Sequence, residues 1–302
     1  MNVFSRLTDF ILPPQKQTVV AIGNFDGIHP GHQLILQTAV TKAKERGIPA
    51  GAFTFNTHPK TLLYGKKIDP IIPSARRLKW FDELGMDFCF MLEESVDFFK
   101  KTPDQFIQDV LCDLLRTRVV VVGDNFRFGF QAKGSVEDLN RFQSPETFEL
   151  FVIPMLLNDG KPVSSSRIRK AIETQDFESA NTLLNRVEFH TGLVVPGKKM
   201  GTGLGFPTAN LQSTSMQSGV YAVRCWVGNE CYQGLMNVGT SPTFGENERR
   251  CEIHLLRFPK RDLYGQTITF QILKRIRDEK KFSSKEELIR QIQSDIASFE
   301  QN

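Results

Sequence analysis

Val19-Val20-Ala21-Ile22-Gly23-Asn24-Phe25-Asp26-Gly27-Ile28-His29-Pro30-Gly31-His32 joins a short apolar run to a turn that holds three glycines and two of the chain's five histidines. The run is apolar at every position, the pattern of a strand covered on both faces. A helical-looking segment follows over 31–46. Strand, glycine-rich turn and helix in that order put the turn at the carboxyl edge of a parallel sheet, where ligands of open α/β sheets bind. Glycines let the backbone approach a phosphate, and the N-terminus of the next helix favours an anion. Three readings of the turn stand at this point: a phosphate cradle, a metal site and a plain tight turn. His29 and His32, three apart, can face one phosphate group and meet charge developing on a pentavalent phosphorus. The same pair can ligate zinc, although no cysteine and few carboxylates lie nearby in sequence.

Outward from this turn, the first 155 or so residues alternate two signals. Strand-like runs occupy 18–23, 50–55, 87–92, 118–123 and 148–155, with amphipathic stretches at 31–46, 74–84, 103–115 and 135–143 between them. Strands apolar on both faces and separated by helices predict βαβ units in a parallel sheet. The segment from Ser164 to Leu184 reads as one continuous helix that closes this half. After about residue 187 the texture changes. Strand-like runs at 189–195, 219–227, 230–238, 249–258 and 266–274 follow one another with only turns between them, and a last helix is predicted from Ser284 to Phe299. Consecutive strands pair antiparallel, so this half predicts a small barrel with one packed helix. The expected domains are 1–184 and 185–302, joined near 174–188.

The 302 residues suffice for two ordinary domains, and 40% apolar with 24% charged residues is ordinary for a soluble globular protein. A net charge of +4 is mild at this size and does not argue for a nucleic-acid partner, though it suits clefts that attract nucleotides. The five cysteines form no CxxC pair and sit mostly among apolar residues, which favours buried free thiols in a reducing compartment. The sequence shows no signal-peptide pattern and no apolar run of membrane-spanning length, so the expected location is the cytoplasm, without a membrane partner.

Other features of the first half converge on a nucleotide. No GxxxxGK[ST] occurs, which excludes a Walker-type site. In the turn Gly23-Asn24-Phe25-Asp26, Asn24 and Asp26 suit ribose, a metal or an acceptor phosphate. A second turn, Gly123-Asp124-Asn125-Phe126-Arg127-Phe128-Gly129, follows the four-valine strand, again at a carboxyl edge. Ser164-Ser165-Ser166-Arg167-Ile168-Arg169 then opens a helix with three hydroxyls and two arginines, a set that suits a polyphosphate. A serine N-cap with solvated arginines is the plainer alternative.

In the second half, Gly201-Thr202-Gly203-Leu204-Gly205-Phe206-Pro207-Thr208-Ala209-Asn210 is the densest motif. It lacks the third glycine of a dinucleotide fingerprint and has no helix after it. Gly203 and Gly205 offer backbone amides to phosphates, while Thr208 and Asn210, two apart on one strand face, offer hard oxygens to Mg²⁺. A glycine hairpin with polar edge residues fits as well. If Cys251 and Ile253 face a core, Glu252 and His254 share the other face. Glu252 there can take a proton from a primary hydroxyl attacking a γ-phosphate, or simply pair with an arginine such as Arg249.

GNFDGIHPGH, Thr54-Phe55-Asn56-Thr57-His58-Pro59, GDNFRFG and SSSRIR occur in that order, and together resemble the adenylyltransferase module of bacterial bifunctional riboflavin kinase/FAD synthetases. GFPTANL, GVYAVR, MNVGTSPTFG, CEIHLLRF, DLYG and the segment 276–296 match that family's riboflavin kinase module, so the resemblance covers nearly the whole chain. It implies an α/β nucleotidyltransferase (Rossmann-like) parallel-sheet domain followed by an all-β barrel riboflavin kinase domain with a C-terminal helix. It also implies phosphorylation of riboflavin to FMN and adenylylation of FMN to FAD, with ATP, riboflavin and FMN as substrates and Mg²⁺ as cofactor. By the same resemblance His29 and His32 contact the ATP phosphates, Asn125 matches the asparagine of the family's GDxFRFG turn, Ser165 and Arg169 belong to the polyphosphate-binding segment, Thr208 and Asn210 hold Mg-ATP, and Glu252 is the kinase base. The chain departs from the family at Asn56-Thr57, where Glu-Pro is common, and at Ser166, where threonine is usual. Thr202 replaces a loop arginine, and Arg257 replaces an aspartate. The last two raise the alternative of an adenylyltransferase with an impaired kinase domain. A non-catalytic flavin- or nucleic-acid-binding barrel is the remaining alternative.

Overall fold

Strands alternate with helices through Met1–Arg169, the first of two units into which the chain divides; the second is Lys170–Asn302. The computed structural model describes residues 1–11, 16–65, 68–93, 98–196, 208–211, 218–240, 249–259, 261–280, 282 and 284–300. In the first unit β1 (Asn2–Phe4), β2 (Thr18–Ile22), β3 (Ala50–Phe55), β4 (Phe88–Leu92), β5 (Thr117–Gly123) and β6 (Glu149–Ile153) form one sheet in the order β1-β4-β3-β2-β5-β6. Every pairing in it is parallel. The helices are α1 (Pro30–Arg46), α2 (Pro59–Tyr64), α3 (Ser74–Glu83), α4 (Pro103–Gln105), which continues as a π-helix over Phe106–Leu114, and α5 (Val136–Phe142).

The apolar run of β2 is explained by cover on both faces. Val19 and Ala21 pack with Leu36 and Ala39 of α1 and Phe81 of α3, while Val20 and Ile22 pack with Ile107 and Leu111 of the π-helix and Leu139 of α5. Each such fully buried aliphatic side chain contributes roughly 1.5–3 kcal/mol. The strand order reverses at β2, whose neighbours are β3 and β5. A crevice therefore opens beyond the carboxyl ends of β2 and β5, and both glycine turns singled out in the sequence border it.

Beyond β6, a hairpin of β7 (Leu157–Asn158) and β8 (Lys161–Pro162) leads into α6 (Ser165–Glu173). The single helix expected from Ser164 to Leu184 is two helices: α6, then α7 (Phe177–Leu184). Gln175 between them takes a left-handed φ of 61, and the Asp176 carboxylate caps α7 by accepting from Ser179 N–H at 3.0 Å. A backbone in that conformation cannot continue an α-helix.

In the second unit β9 (Phe189–Val195), β10 (Thr208–Leu211), β11 (Gly219–Val227), β12 (Glu230–Thr240), β13 (Arg249–Leu255) and β14 (Thr267–Arg277) close a barrel in the order β10-β13-β12-β11-β14-β9. Its pairings are antiparallel, and the two-residue turn Gly228-Asn229, with Gly228 at φ 59, joins β11 to β12. Alternate residues such as Tyr221, Met236, Cys251 and Ile253 fill the interior. α7 lays Phe177 edge-on to Tyr221, and Asn181 Nδ2 donates to Ile272 O at 3.2 Å. α8 (Lys285–Glu300) covers the outer face at Val220 and Leu235 through Ile292. Among the described residues no helix is long and apolar enough to cross a membrane. The cysteines are free: Cys89, Cys225 and Cys251 are buried, Cys112 is half-buried and Cys231 is exposed.

Candidate active sites

In the first unit the crevice is a cavity of about 520 Å³. Its floor is the turn after β2, where Gly23, Asn24 and Phe25 line it. Asn24 O accepts from Thr54 Oγ1 at 3.0 Å and from Arg77 Nη1 at 2.9 Å, so this carbonyl is turned into the protein. The turn then passes through left-handed φ at Phe25, Gly27 and Ile28, a tight coil that delivers His29 to the start of α1. His29 caps that helix, with Pro30 in its first turn, and His29 Nδ1 accepts from His32 N–H at 3.4 Å. The two imidazoles stack with ring centroids 3.7 Å apart and both line the cavity. A side chain at Gly31 would press on the His29 ring, which explains a glycine there.

Asn125 reaches the cavity from the turn after β5, and Ser164, Ser165 and Arg169 reach it from the start of α6. Two of the expected ligand residues are placed elsewhere. Asp26 is buried outside the lining: Oδ1 accepts from Ile71 N–H and Oδ2 from Arg169 Nη2, each at 2.9 Å. Its carbonyl also accepts from Ser165 Oγ at 2.8 Å. Arg167 points to the β7–β8 hairpin, donating to Asn158 O at 3.1 Å and Lys161 O at 3.2 Å.

Other groups in the wall were not singled out in the sequence as ligands. His58, noted above only as part of a motif, caps α2 and lines the cavity; burial, then the Arg169 charge, lowers its pKa below 6.5. Lys60 and Arg127 bring further positive charge. Much of the rest of the wall is aromatic, with Phe55, Phe98, Phe99, Phe126 and Phe128 beside aliphatic residues such as Leu63, Ile153 and Leu156. Phe126 and Phe128 stack at 5.4 Å. The one signal for this wall in the sequence was composition, 25 phenylalanines. Such a space takes a polyanion at its glycine turn and a flat apolar ring system at its far side.

In the second unit Asn210 of β10 stands opposite Glu252 of β13, which stands opposite Asn237 of β12. Cys251 and Ile253 face the interior, so Glu252 and His254 share the outer face, as expected. The three residues form one polar row, with neighbouring Cβ atoms about 5 Å apart. Asn237 was missed, though the alternation Met236-Asn237-Val238 marks it as an outward position. His254, next along β13, is opposite Thr208 and Leu235, and burial lowers its pKa. Thr208 lies on the backbone of β10, but its side chain lies outside the described residues, as do Thr202, Gly203 and Gly205. Arg257 occupies an exposed turn after β13 at φ 58, outside the row. Among the described residues no cluster of three or more histidines, cysteines or carboxylates can hold a metal.

A family model for FAD synthetase matches residues 12–167, and one for riboflavin kinase matches residues 184–302. The bifunctional riboflavin kinase/FMN adenylyltransferase of Bacillus subtilis (strain 168) is 34% identical over 295 residues, covering 93% of this chain and 91% of that protein. The protein so described from Escherichia coli (strain K12) is 33% identical over 287 residues, with the same coverage of 93% and 91%. A solved crystal structure described as a macrolide-efflux protein from Streptococcus pneumoniae is 29% identical and has a TM-score of 0.84, over 98% of this chain and 97% of that one.

Proposed function

Because the chain belongs to the bifunctional riboflavin kinase/FMN adenylyltransferase family, we propose that it makes FAD in two ATP-dependent steps, one in each unit. Riboflavin is phosphorylated to FMN, and FMN is then adenylylated to FAD with release of pyrophosphate. The functional division falls at 184/185, at the start of the riboflavin kinase match over residues 184–302.

The observation that carries the adenylyl step is the convergence of His29, His32, Asn125, Ser164, Ser165 and Arg169 on one cavity. ATP lies with its phosphates over the Gly23–Phe25 turn. The trans peptide after Asn24, whose carbonyl points inward, directs the Phe25 N–H the other way, to the α-phosphate. The Ser164 hydroxyl, the Ser165 main-chain N–H at the start of α6 and Arg169 hold the departing β- and γ-phosphates, and the flavin ring lies on the phenylalanine wall. A phosphate oxygen of FMN then attacks the α-phosphorus as its bond to the bridging oxygen of pyrophosphate breaks. His29 and His32, as ring N–H donors, stabilise the charge that builds on the α-phosphoryl oxygens. Asp26 holds Arg169 from behind and touches no substrate.

In the barrel, Glu252 accepts the proton of the riboflavin 5′-hydroxyl as that oxygen attacks the γ-phosphorus and ADP leaves. The outer-face row suits Mg²⁺, which takes one or two protein oxygens and fills its shell with phosphate oxygens and water. Asn210, with Thr208, would hold it, and when bound it would neutralise phosphate charge. The impaired-kinase alternative is not favoured: the riboflavin kinase match runs over 184–302, Asn210 and Glu252 keep their pairing, and Arg257 stands outside their row. The free thiols fit a reducing compartment such as the cytoplasm.

The test supplies the full chain with Mg-ATP and either riboflavin or FMN, then separates the flavins. His32→Ala is expected to abolish FAD formation while FMN formation continues, and Glu252→Ala to do the reverse. Loss of both steps in either folded variant would refute the two-site division.

A further inference from the structure

We propose that Arg77 is a positioning residue for adenylyl transfer: with the Thr54 hydroxyl it locks the Asn24 carbonyl inward and so aims the Phe25 N–H at the α-phosphate. This rests on the cavity being the adenylyl-transfer site, as set out above.

Arg77 sits in α3, buried beneath the turn, and its described hydrogen bonds go to main-chain carbonyls and a thioether. Nη1 donates to Asn24 O at 2.9 Å and Nη2 to Phe55 O at 2.8 Å. Those carbonyls follow β2 and end β3, neighbouring strands whose carboxyl ends flank the cavity. One planar guanidinium fork spans both, which the single ammonium of a lysine cannot do. Thr54, fully buried, supplies the second donor to Asn24 O at 3.0 Å. Both lone pairs of that oxygen are then engaged, and turning the 24–25 peptide would strand two buried donors, one of them charged.

That lock has something to hold. Phe25 is a buried, non-glycine residue at φ 47, a conformation L side chains avoid unless their surroundings impose it. The peptide is trans, so the Phe25 N–H points opposite to the Asn24 carbonyl, and Phe25, itself buried, borders the cavity. Burial lowers the Arg77 pKa while the nearby Asp26 charge opposes the shift. Helix α3 is itself tied to the neighbouring turn, since Ser74 Oγ donates to Asn56 Oδ1 at 2.7 Å.

Arg77→Lys and Thr54→Val separate positioning from folding. Each is assayed for FAD formation from FMN with Mg-ATP, and with the Sp and Rp diastereomers of ATP carrying sulfur on the α-phosphorus. The expected result is a kcat per folded molecule down about tenfold for Arg77→Lys and less for Thr54→Val, with KM for ATP within about threefold. The rate ratio between the two diastereomers is expected to narrow in both, because one α-phosphoryl oxygen loses a fixed donor. Circular dichroism and the temperature at which each chain loses its folded signal report that the first unit is intact, and riboflavin phosphorylation reports on the second unit alone. An unchanged diastereomer ratio, with kcat per folded molecule at the wild-type value, would overturn the proposal. Should Arg77→Lys fail to fold, Thr54→Val decides by the same two readouts. His32→Ala is run in parallel: if it leaves FAD formation intact, the cavity reading and this proposal fall together. If it abolishes FAD formation while both clamp variants match wild type, only the clamp falls.

Discussion

Replacing Asp26 by asparagine keeps the shape of the side chain and removes one acceptor where two are needed. The carboxylate of Asp26 takes Ile71 N–H on one oxygen and Arg169 Nη2 on the other, each at 2.9 Å. An asparagine has a single side-chain oxygen, so whichever way its amide is turned one donor faces an NH₂ group. Removing one partner from a buried ion pair costs about 3–5 kcal/mol. The Arg169 side chain retains 17% of its exposure and so keeps some access to water, which brings the expected cost down to about 2–3 kcal/mol. For a unit of this size each kcal/mol moves Tm by about 2–4 °C, so a fall of about 4–12 °C is expected. The assay is stepwise heating of the full chain, with residual FAD formation and riboflavin phosphorylation measured at each step. FAD formation should be lost at the lower temperature. A double-mutant cycle with Arg169→Met should return a coupling of about 1.5–3 kcal/mol. A Tm within 1 °C of wild type together with a coupling near zero would refute the assignment of Asp26 as the anchor of Arg169.

Three further expectations follow from packing and burial. A Cβ on Gly51 would overlap the Phe88 ring, which Phe10 and Phe90 hold in place, so Gly51→Ala should cost about 3 kcal/mol in urea unfolding, and adding Phe88→Leu should recover most of it. Burial lowers the His254 pKa below 6.5, so the unfolded chain takes up that proton at a higher pH than the folded one; stability is full above about pH 6.5 and falls as pH drops through the folded value. The urea midpoint of the barrel should therefore fall from pH 7.5 to 5.5, and His254→Gln should flatten that slope, leaving the part due to His190, whose pKa burial also lowers. Arg277 grips the buried Asp295 carboxylate through Nε at 3.0 Å and Nη2 at 2.8 Å, so Asp295→Ala should cost about 3–5 kcal/mol and loosen α8, measurable as faster amide exchange along that helix.

The sheet was legible because cover on both faces leaves a mark that no surface strand leaves. Thr18–Ile22 and Phe88–Leu92 are buried at every position, and Val19–Ile22 and Phe88–Leu92 each read as an unbroken apolar run. The barrel was legible for the opposite reason, since Cys251 and Ile253 alternate with Glu252 and His254 on its wall. The edge strand Asn2–Phe4 left too short a trace, and α2 is six residues held by caps at His58 and Gly65 rather than by an apolar stripe. The phenylalanine wall was illegible in a deeper sense. Phe55, Phe98 and Phe128 come from separate segments, and nothing local says that they meet. Arg77 is the same case: along α3 it is one more cation on an amphipathic helix, and only the packed sheet beneath it turns that cation into a brace.

The two arginines of Ser164-Ser165-Ser166-Arg167-Ile168-Arg169 show where spacing carries more than composition. Listed by type, the segment offers two cations to a polyphosphate. In a helix, residues two apart are separated by about 200° around the axis, so both cannot face one ligand. Arg169 takes the cavity side, where Asp26 braces it, and Arg167 is left to tie the β7–β8 hairpin through Asn158 and Lys161. Arg167→Ala should therefore act on the hairpin and raise the proteolytic sensitivity of residues 157–162, with little change in KM for ATP. Arg169→Ala should raise that KM or lower kcat for FAD formation while the hairpin stays protected. The reverse pattern would mean that the helix meets its substrate with the other face.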